Sequence, residues 1–413
     1  MRISEDANGG EMAMTDATFP DLRDGSAVTP GAAWGAVLSM SLCVAMLIAS
    51  EFMPVSLLTP MAEGLGASEG QTGQAISVSG FFAVAASLMV TTLAGRLNRK
   101  WVLVAMTALM LLSLVMVAAA PNFLVLMGAR ALLGICVGGF WALAAAVMMR
   151  LVPAGDLPRA LALMYGGQAI AAAFAAPLGS YLGEIIGWRG VFWALVPIVA
   201  ANLLWHIVAL PSLPARGRQD LGAMLDLLRR PHFRRGLIAA TFSWGSAFTM
   251  FTYLRPFLEQ VTGADVTVLS ALLLVLGCAG FLGTWASGRM VGADVAPLLA
   301  LPALVMGGGT LALVLVGDSL AATALILAAW GAMNTAMSVI WMAWMSRNVD
   351  DAPEAGGSLM VAAIQASILL GAVIGGLLLD AISVEATFLG SAALAAVAVA
   401  IAGNGRRLLR PAV

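Results

Sequence analysis

The sequence predicts an all-α, polytopic membrane protein with twelve transmembrane helices arranged in two six-helix halves. Of its 413 residues, 61% are hydrophobic and only 10% are charged, whereas soluble domains carry about 25% charged residues. The mean hydropathy of the chain is +0.95. Apolar stretches of about 18–26 residues, the length that crosses a bilayer, follow one another along the chain. Composition and length together therefore define the fold class.

Twelve apolar stretches meet this length requirement. They are Trp34–Leu58, Gly73–Leu93, Trp101–Ala120, Phe123–Met148, Ala160–Leu182, Gly190–Leu210, Gly236–Leu258, Val266–Trp285, Val295–Val316, Leu320–Met345, Leu359–Leu379 and Glu385–Ala402. A polar, basic loop, residues 211–235, separates an amino-terminal half (34–210) from a carboxy-terminal half (236–403). Residues 1–33 are polar and acidic, so we expect a disordered cytoplasmic tail there. Residues 404–413 are expected to form a second cytoplasmic tail.

The distribution of Lys and Arg predicts that both termini are cytoplasmic. With the amino terminus inside, every basic residue except Arg130, Arg189 and Arg255 falls in a cytoplasmic segment or tail. Topology thus explains the basic central loop, and no nucleic-acid partner is expected. The Arg- and Ala-rich composition is typical of a GC-rich bacterium. We therefore expect a monomeric, multi-pass protein of a bacterial inner membrane.

Small residues recur in matching places of the two halves. Gly179 and Gly183 at the end of the fifth stretch correspond to Gly371 and Gly375 in the eleventh, and such pairs let helices approach closely. Matching halves of this kind are typical of transporters that bind their substrate at the membrane midplane. The sequence has no P-loop for ATP, no metal-ligand spacing and no catalytic constellation. It therefore predicts a transporter that is not an enzyme and uses neither a metal nor a cofactor.

Glu51 is a carboxylate in the second half of the first apolar stretch. A charge at membrane depth costs roughly 2.5–3.5 kcal/mol on insertion scales and usually faces the bundle interior or a wet cavity. Arg130 is its best partner, because both residues lie roughly 10 Å inside the same membrane face at about 1.5 Å per residue. We predict that Glu51 and Arg130 couple transport to protons. A purely structural pair that locks two helices together is the alternative.

Two motifs carry a resemblance to a known family. Residues 95–100, Gly-Arg-Leu-Asn-Arg-Lys, lie between the second and third stretches, and the fourth stretch has Arg130 followed by Gly134. The pattern resembles the drug:proton antiporter branch of the major facilitator superfamily, in which Asp is usual where Asn98 stands here. The resemblance implies the major facilitator fold. It also implies a cytoplasmic gating motif with an altered charge relay, formed by Gly95, Arg96, Arg99 and Lys100.

A closer resemblance extends over nearly the whole chain. Its main segments are Glu51–Met61, Gly138–Ala142, Met149–Pro153, Ala176–Gly183, Gly187–Arg189, Leu210–Pro214 and Phe251–Pro256. In order and spacing these segments are similar to those of the bacterial purine ribonucleoside efflux pumps. The resemblance implies export of inosine- or guanosine-like compounds in exchange for protons. Proton-coupled export of other small solutes, such as drugs, sugars or nucleobases, is the alternative, and a sensor that does not transport is a further one.

A nucleoside needs an aromatic surface for its base and hydrogen-bonding groups for its ribose and purine edges. The substrate-binding candidates on helices of the cavity type are Trp141, Gln168, Trp244, Tyr253, Asn334 and Gln365. The amides are the stronger candidates, because an amide in hydrocarbon needs a partner, whereas tryptophan is common at membrane interfaces. Tyr253 and Arg255 lie at the outer end of the seventh stretch. There Tyr253 is expected to serve as a gate or as an interfacial anchor if it does not bind substrate. The expected partners are a small-molecule substrate, protons and the lipid bilayer.

Overall fold

The computed structural model describes residues 30–94, 97–153, 156–214, 221–290, 294–349, 351 and 353–410. Within these ranges the chain forms fourteen α-helices and two short 3₁₀ turns, and no β-strand. The helices are α1 (Pro30–Ser56), α2 (Leu58–Leu65), α3 (Glu69–Leu93), α4 (Arg99–Ala118), α5 (Phe123–Leu151), α6 (Leu157–Ala209), α7 (Leu221–Arg229), α8 (Pro231–Thr252), α9 (Leu254–Gln260), α10 (Val266–Met290), α11 (Leu301–Val316), α12 (Leu320–Asn348), α13 (Pro353–Ala381) and α14 (Val384–Ala402). The predicted all-α class is confirmed.

The helices account for the twelve predicted crossings. Ten helices of the described ranges are long and apolar enough to cross a membrane. One of these, α6, has 53 residues, whereas one crossing needs about 20. Gly187, with φ 72° and ψ 159°, interrupts α6, so this element contains the predicted fifth and sixth crossings. The more polar α8, continued by α9, corresponds to the seventh.

Three predicted segment boundaries differ from the structure. Helix α1 begins at Pro30, four residues before the predicted first stretch, and residues 1–29 of the predicted tail lie outside the described residues. The predicted central loop contains α7 and the start of α8, because Leu221–Arg229 places its apolar side chains on one helical face. The predicted carboxy-terminal tail includes a 3₁₀ turn, Arg406–Leu408, in which Leu408 is fully buried. The central loop and the carboxy-terminal segment are polar in composition, and a few apolar side chains nevertheless give each of them a defined structure.

Each half of the chain has its own apolar core. One core is built from residues between Ala36 and Leu213. The other is built mainly from residues between Met224 and Leu408, with a few side chains from the first half. The halves meet along two seams, where α3 packs against α13 and α6 packs against α10. This arrangement leaves the space between the halves as the place for a central site.

Helices α3 and α5 approach each other closely at two glycines. A Cβ atom at Gly134 would lie 2.2 Å from the Ser79 carbonyl oxygen, and one at Gly138 would lie 2.1 Å from the Ala83 carbonyl oxygen. Both distances are well inside van der Waals contact, so only glycine fits at these two positions. This close packing brings the Arg130 side chain of α5 against the backbone of α3.

Candidate functional site

Arg130 is buried on α5 and connects three helices of the first half. Its Nη1 donates a hydrogen bond to the Ser50 carbonyl oxygen on α1 at 3.0 Å, and its Nε donates to the Ala75 carbonyl oxygen on α3 at 3.3 Å. Its Nη2 is buried and has no hydrogen-bond partner among the described residues. The guanidinium is therefore fixed in place with one donor group left over.

Glu51 follows directly after the Ser50 carbonyl that Arg130 binds. Because the Arg130 guanidinium binds the carbonyl of the preceding residue, the two charges lie near each other inside an apolar bundle. However, the Glu51 carboxylate makes no ion pair or hydrogen bond with any residue that the structure describes. Glu51 keeps 7% of its surface accessible. The predicted partners thus lie near each other without direct contact.

A cluster of aromatic rings next to Glu51 joins the two halves. Phe52 on α1 meets Phe251 on α8 edge to face, with ring centroids 5.4 Å apart. Phe251 in turn stacks on Trp330 of α12 at 6.1 Å and 13°. Together with Phe248 and Asn334, these rings line a small cavity of about 10 Å³. This cavity, the central pocket, has about the room that one water molecule needs.

Of the six substrate-binding candidates predicted from the sequence, Asn334 lines the central pocket. Its side-chain amide has no hydrogen-bond partner among the described residues. Two other amides also have unsatisfied atoms: Gln168 Oε1 on α6 and Gln365 Nε2 on α13 are buried and unpartnered in the described part of the chain. Three amides on three helices therefore have hydrogen-bonding capacity that the protein itself does not use.

The two candidate tryptophans pack against other aromatic rings. Trp141 stacks on Tyr165 of α6, with centroids 6.1 Å apart and an interplanar angle of 19°. Trp244 is buried and tilted against Trp341, with centroids 6.4 Å apart. Neither tryptophan lines the central pocket. In this state both rings contribute to the packing within their own half.

One end of the bundle is closed by contacts between the halves; we call it the closed end. There the Thr59 hydroxyl lies 2.6 Å from Glu259 Oε2 and 2.8 Å from Glu69 Oε1. Arg255 pairs with Glu259 at 2.7 Å and donates a further hydrogen bond to the Ser56 carbonyl oxygen of the other half. One cation, two carboxylates and a hydroxyl thus join α1 and α2 to α9.

Tyr253 and Asp380 extend this closure. Tyr253 is fully buried, and its hydroxyl donates to the Ala372 carbonyl oxygen at 2.7 Å. Asp380 at the end of α13 accepts hydrogen bonds from the Ser68 hydroxyl at 2.6 Å and from the Gly70 amide at 3.1 Å. These contacts fix α13 to the start of α3. Tyr253, a predicted substrate candidate, therefore has no exposed surface here and lies within the contact between the halves.

The loop motif between α3 and α4 holds the chain segment that follows α6. Asn98 Oδ1 accepts hydrogen bonds from the Lys100 amide at 3.0 Å and the Leu213 amide at 2.8 Å, and its Nδ2 donates to Ser212 Oγ at 2.7 Å. Arg99 is buried, and its Nη1 has no partner among the described residues. Asn98 therefore acts as a structural link. The other two motif residues, Gly95 and Arg96, lie outside the described residues.

Several residues of this arrangement were not predicted. Phe52, Phe251 and Trp330 form the central pocket, and Thr59 and Glu259 join the halves at the closed end. Phe52 and Phe251 do lie in the segments that carry the resemblance to the efflux pumps, so that resemblance was the only available signal. Thr59 and Glu259 are 200 positions apart, and polar residues at helix ends attract no notice by themselves.

The fold and the buried charged groups define a class of protein: a multi-pass membrane transporter built from two helical halves. Residues 40–360 match the family model of the Major Facilitator Superfamily. The chain belongs to this superfamily, whose members are membrane transporters and not enzymes.

Two kinds of curated relatives are similar to most of the chain. The transcription regulatory protein OpdE of Pseudomonas aeruginosa is 46% identical over 369 residues, which cover 88% of this chain and 92% of the relative. The purine ribonucleoside efflux pump NepI of Salmonella paratyphi B is 40% identical over 347 residues, which cover 84% of this chain and 87% of the pump. The NepI protein of Salmonella typhimurium is similar to the same extent.

Solved structures confirm the fold. A bacterial homologue of the human lysosomal transporter Spinster, in its inward-facing and unoccupied conformation, has a TM-score of 0.73 at 15% identity. The similarity covers 94% of this chain and 100% of that structure. The same homologue in its occupied conformation has a TM-score of 0.70, also at 15% identity, and covers 91% of this chain. Identity at this level supports the major facilitator fold alone.

Proposed function

We propose that this transporter exports purine ribonucleosides, such as inosine and guanosine, in exchange for protons. The observation that carries the proposal is the 40% identity to a purine ribonucleoside efflux pump over 84% of the chain. The central pocket supports it, because its rings offer stacking surfaces for a purine and Asn334 offers an amide for hydrogen bonding. At about 10 Å³ the pocket is too small for a nucleoside, so the halves must separate before substrate enters.

Glu51 supports the proton-coupled part of the proposal. Desolvation favours the neutral form of a buried carboxyl group, whereas a nearby cation favours its charged form. Glu51 lies between these influences, beside Arg130 and next to the ring of Phe52 that lines the pocket. When the halves move, the hydration of Glu51 changes, and the balance between the two forms changes with it. Binding and release of a proton would in this way accompany the exchange of substrate.

The closed end supports a state that opens towards the cytoplasm. In the topology expected from the basic residues, Thr59, Arg255 and Glu259 lie on the outer side of the membrane. Contacts between the halves at this end would separate the site from the exterior, while separation at the other end would admit a nucleoside from the cytoplasm. This is the alternating-access mechanism expected of two repeats that rock around a central site.

The test is uptake of radiolabelled inosine into inverted membrane vesicles with an imposed pH gradient. Wild type should accumulate inosine, and Glu51→Gln should lose the dependence on the gradient. Glu63→Gln is the matched control, because Glu63 is an exposed glutamate on α2. Absence of saturable inosine uptake by wild type would contradict the assignment of inosine as a substrate. Gradient-driven uptake by Glu51→Gln at the wild-type level would overturn the role of Glu51.

The name of the Pseudomonas relative raises a second candidate function, a membrane regulator of transcription. A regulator that does not transport predicts no saturable flux of any nucleoside. It also predicts that deletion of the gene changes the expression of other genes, and that a gene copy carrying Glu51→Gln restores their expression fully. Measuring flux and transcript levels in the same strains separates the two functions. The buried charged groups and the aromatic pocket favour transport.

A further inference from the structure

At the end of the bundle opposite the closed end, an open pocket of about 660 Å³ lies below the second half. The start of α8 forms one wall with His232 and Arg235, and Asp294, before α11, contributes to a second. The carboxy-terminal segment forms the third wall with Arg406, Arg407 and Arg410. We call this cavity the basic pocket. Its volume falls in the range of about 300–1,000 Å³ that is typical of small-molecule sites.

The basic pocket is strongly positive. Four arginines line it, namely Arg235, Arg406, Arg407 and Arg410, against the single carboxylate of Asp294. That carboxylate already accepts a hydrogen bond from the Ala296 amide at 2.9 Å. A second nearby carboxylate, Asp351, forms a two-point pair with Arg230 at 2.9 and 2.5 Å. Arg235, Arg406 and Arg407 alone outnumber the Asp294 carboxylate in the lining, and an anion is the ligand that such a wall attracts.

The start of α8 adds to the attraction for an anion. This helix has 22 residues and begins at Pro231 without a side-chain cap, so the partial positive charge of its first turn faces the pocket. His232 Nε2 lies in the same turn, buried and without a hydrogen-bond partner in the described part of the chain. The backbone amides of this turn therefore offer donors as well as charge.

The carboxy-terminal arginines are held in a fixed position. The Trp344 indole Nε1 donates to the Leu408 carbonyl oxygen at 2.8 Å, and the Arg410 amide donates to Asn348 Oδ1 at 2.6 Å. Gly405, with φ 76°, lies so close to the 3₁₀ turn Ala296–Leu298 that an added Cβ would meet the Ala296 carbonyl oxygen at 2.0 Å. These contacts attach the segment to α12 and to the turn before α11. The arginines consequently face the pocket as part of the fold.

The position of the pocket identifies its ligand. Among the described residues that line it there is no Phe, Tyr or Trp that would stack a nucleobase. Met290, at the end of α10, is 49% exposed and lies four residues before Asp294, hence at most about 14 Å away along the chain. Trp285 of the same helix is 61% exposed, as is typical of the membrane interface. An anionic headgroup in the pocket would therefore have apolar protein surface nearby for its acyl chains.

We propose that the basic pocket binds the phosphate of an anionic phospholipid headgroup from the adjacent leaflet. The arginines neutralise the phosphate, and the first turn of α8 donates to its oxygens. Basic pockets at the cytoplasmic ends of transmembrane helices suit such headgroups. The bound lipid would connect α8, which belongs to the wall of the central site, with the carboxy-terminal segment.

Native mass spectrometry of the purified full chain in a neutral detergent tests this assignment. Cardiolipin or phosphatidylglycerol should bind to wild type, and phosphatidylethanolamine should bind much more weakly. The double variant Arg406→Gln/Arg407→Gln should lower the affinity for the anionic lipid about 30-fold, given the usual contribution of two basic residues. Arg347→Gln is the matched control, because Arg347 is exposed at the end of α12 and does not line the pocket.

Two results would overturn the proposal. Equal binding of anionic lipid by wild type and the double variant would remove the pocket as the site. The second result concerns inorganic phosphate. If it bound saturably and displaced the lipid when phosphate and lipid headgroup were present at equal concentration, the pocket would be a site for a free anion. Arg235→Gln provides an independent check from α8, with an expected loss of about fivefold. The elution volume of each variant in detergent shows whether the chain is folded, and it is not expected to change.

Discussion

The Thr59 hydroxyl in the first half lies 2.6 Å from Glu259 Oε2 in the second half and 2.8 Å from Glu69 Oε1. A hydroxyl group has one hydrogen, so Thr59 donates to one of the two carboxylates at a time. Arg255 binds Glu259 from the other side at 2.7 Å. This hydroxyl is therefore one of the points at which polar groups of the two halves meet at the closed end.

Thr59→Val should open the closed end more often. The valine keeps the shape of the side chain but removes a hydrogen bond to a carboxylate, which contributes about 1.5 kcal/mol, so the open state should be about tenfold more populated. The measurement is labelling of Ala247→Cys in the central pocket by a membrane-impermeant maleimide, with the native cysteines replaced. Thr262→Val is the control, because the Thr262 hydroxyl is buried at the same end without a partner in the described residues. Equal labelling rates in both variants would contradict the prediction.

Arg130→Gln should lower the apparent melting temperature in detergent. The variant loses two hydrogen bonds from a charged donor to backbone carbonyls, each worth about 1.5–3 kcal/mol, and leaves Glu51 without a compensating charge. Glu51→Gln/Arg130→Gln should recover part of the loss, because no buried carboxylate then remains.

A double-mutant cycle measured by thermal unfolding gives the interaction free energy between Glu51 and Arg130. Arg189→Gln serves as the comparison, since its guanidinium donates to the Ala120 carbonyl oxygen at 2.9 Å and should show no coupling to Glu51. Strict additivity of Glu51→Gln and Arg130→Gln would mean that the two groups do not interact.

Gly138→Ala should weaken the packing of α3 against α5. The added methyl group would lie 2.1 Å from the Ala83 carbonyl oxygen, and overpacking of this kind costs about 1–3 kcal/mol. Gly166→Ala on α6 is the matched control, because its Cβ meets no atom within 4 Å. Thermal unfolding in detergent should therefore show a lower melting temperature for Gly138→Ala only. Unchanged melting of both variants would show that α3 and α5 can separate without cost.

Much of the fold follows from the sequence because the bilayer imposes simple requirements. A crossing needs an apolar run of sufficient length, and the Lys and Arg distribution predicts its direction. Both signals are local, so the long helices match the predicted stretches closely. The short helix α7 was missed because nine amphipathic residues in a polar loop carry little hydropathy signal.

The candidate site was less predictable from the sequence. Glu51 and Arg130 stood out because a charge within an apolar run is costly. The ring of Trp330, in contrast, is one of 11 tryptophans in the chain, and only the packing of α12 against α8 determines that it meets Phe251. The same holds for Tyr253, whose position at the end of a stretch fitted a ligand, a gate or an anchor until the contact with Ala372 was known.

The Arg230–Asp351 pair should not contribute to the pH dependence of transport. The guanidinium of Arg230 lowers the pKa of Asp351 from 3.8 to about 2. A carboxyl group with a lowered pKa in the folded state stabilises the protein above pH 3.8 and loses this contribution as the pH falls through about 2. Asp351 is therefore ionised throughout the range of about pH 5–8 in which transport is measured.

Asp351→Asn should shift the melting temperature by the same small amount at both ends of that pH range. Its inosine flux should keep the wild-type pH profile, whereas Glu51→Gln should change that profile. Asp226→Asn is a comparison of equal charge, because Asp226 forms an exposed pair with Arg229 at 3.1 Å. A shifted pH profile in Asp351→Asn alone would place a coupling step at this end of the bundle.

Asn334→Ala should weaken nucleoside binding without weakening the fold. The amide lines the central pocket and has no partner among the described residues, so removing it breaks no hydrogen bond of the protein. Loss of one or two hydrogen bonds to the nucleoside, each worth about 0.5–1.5 kcal/mol, should raise the dissociation constant for inosine about 2- to 150-fold. The measurement is binding of radiolabelled inosine to purified protein. Ser338→Ala, on an exposed position of the same helix, should bind inosine like wild type, and an unchanged affinity in Asn334→Ala would place the substrate elsewhere.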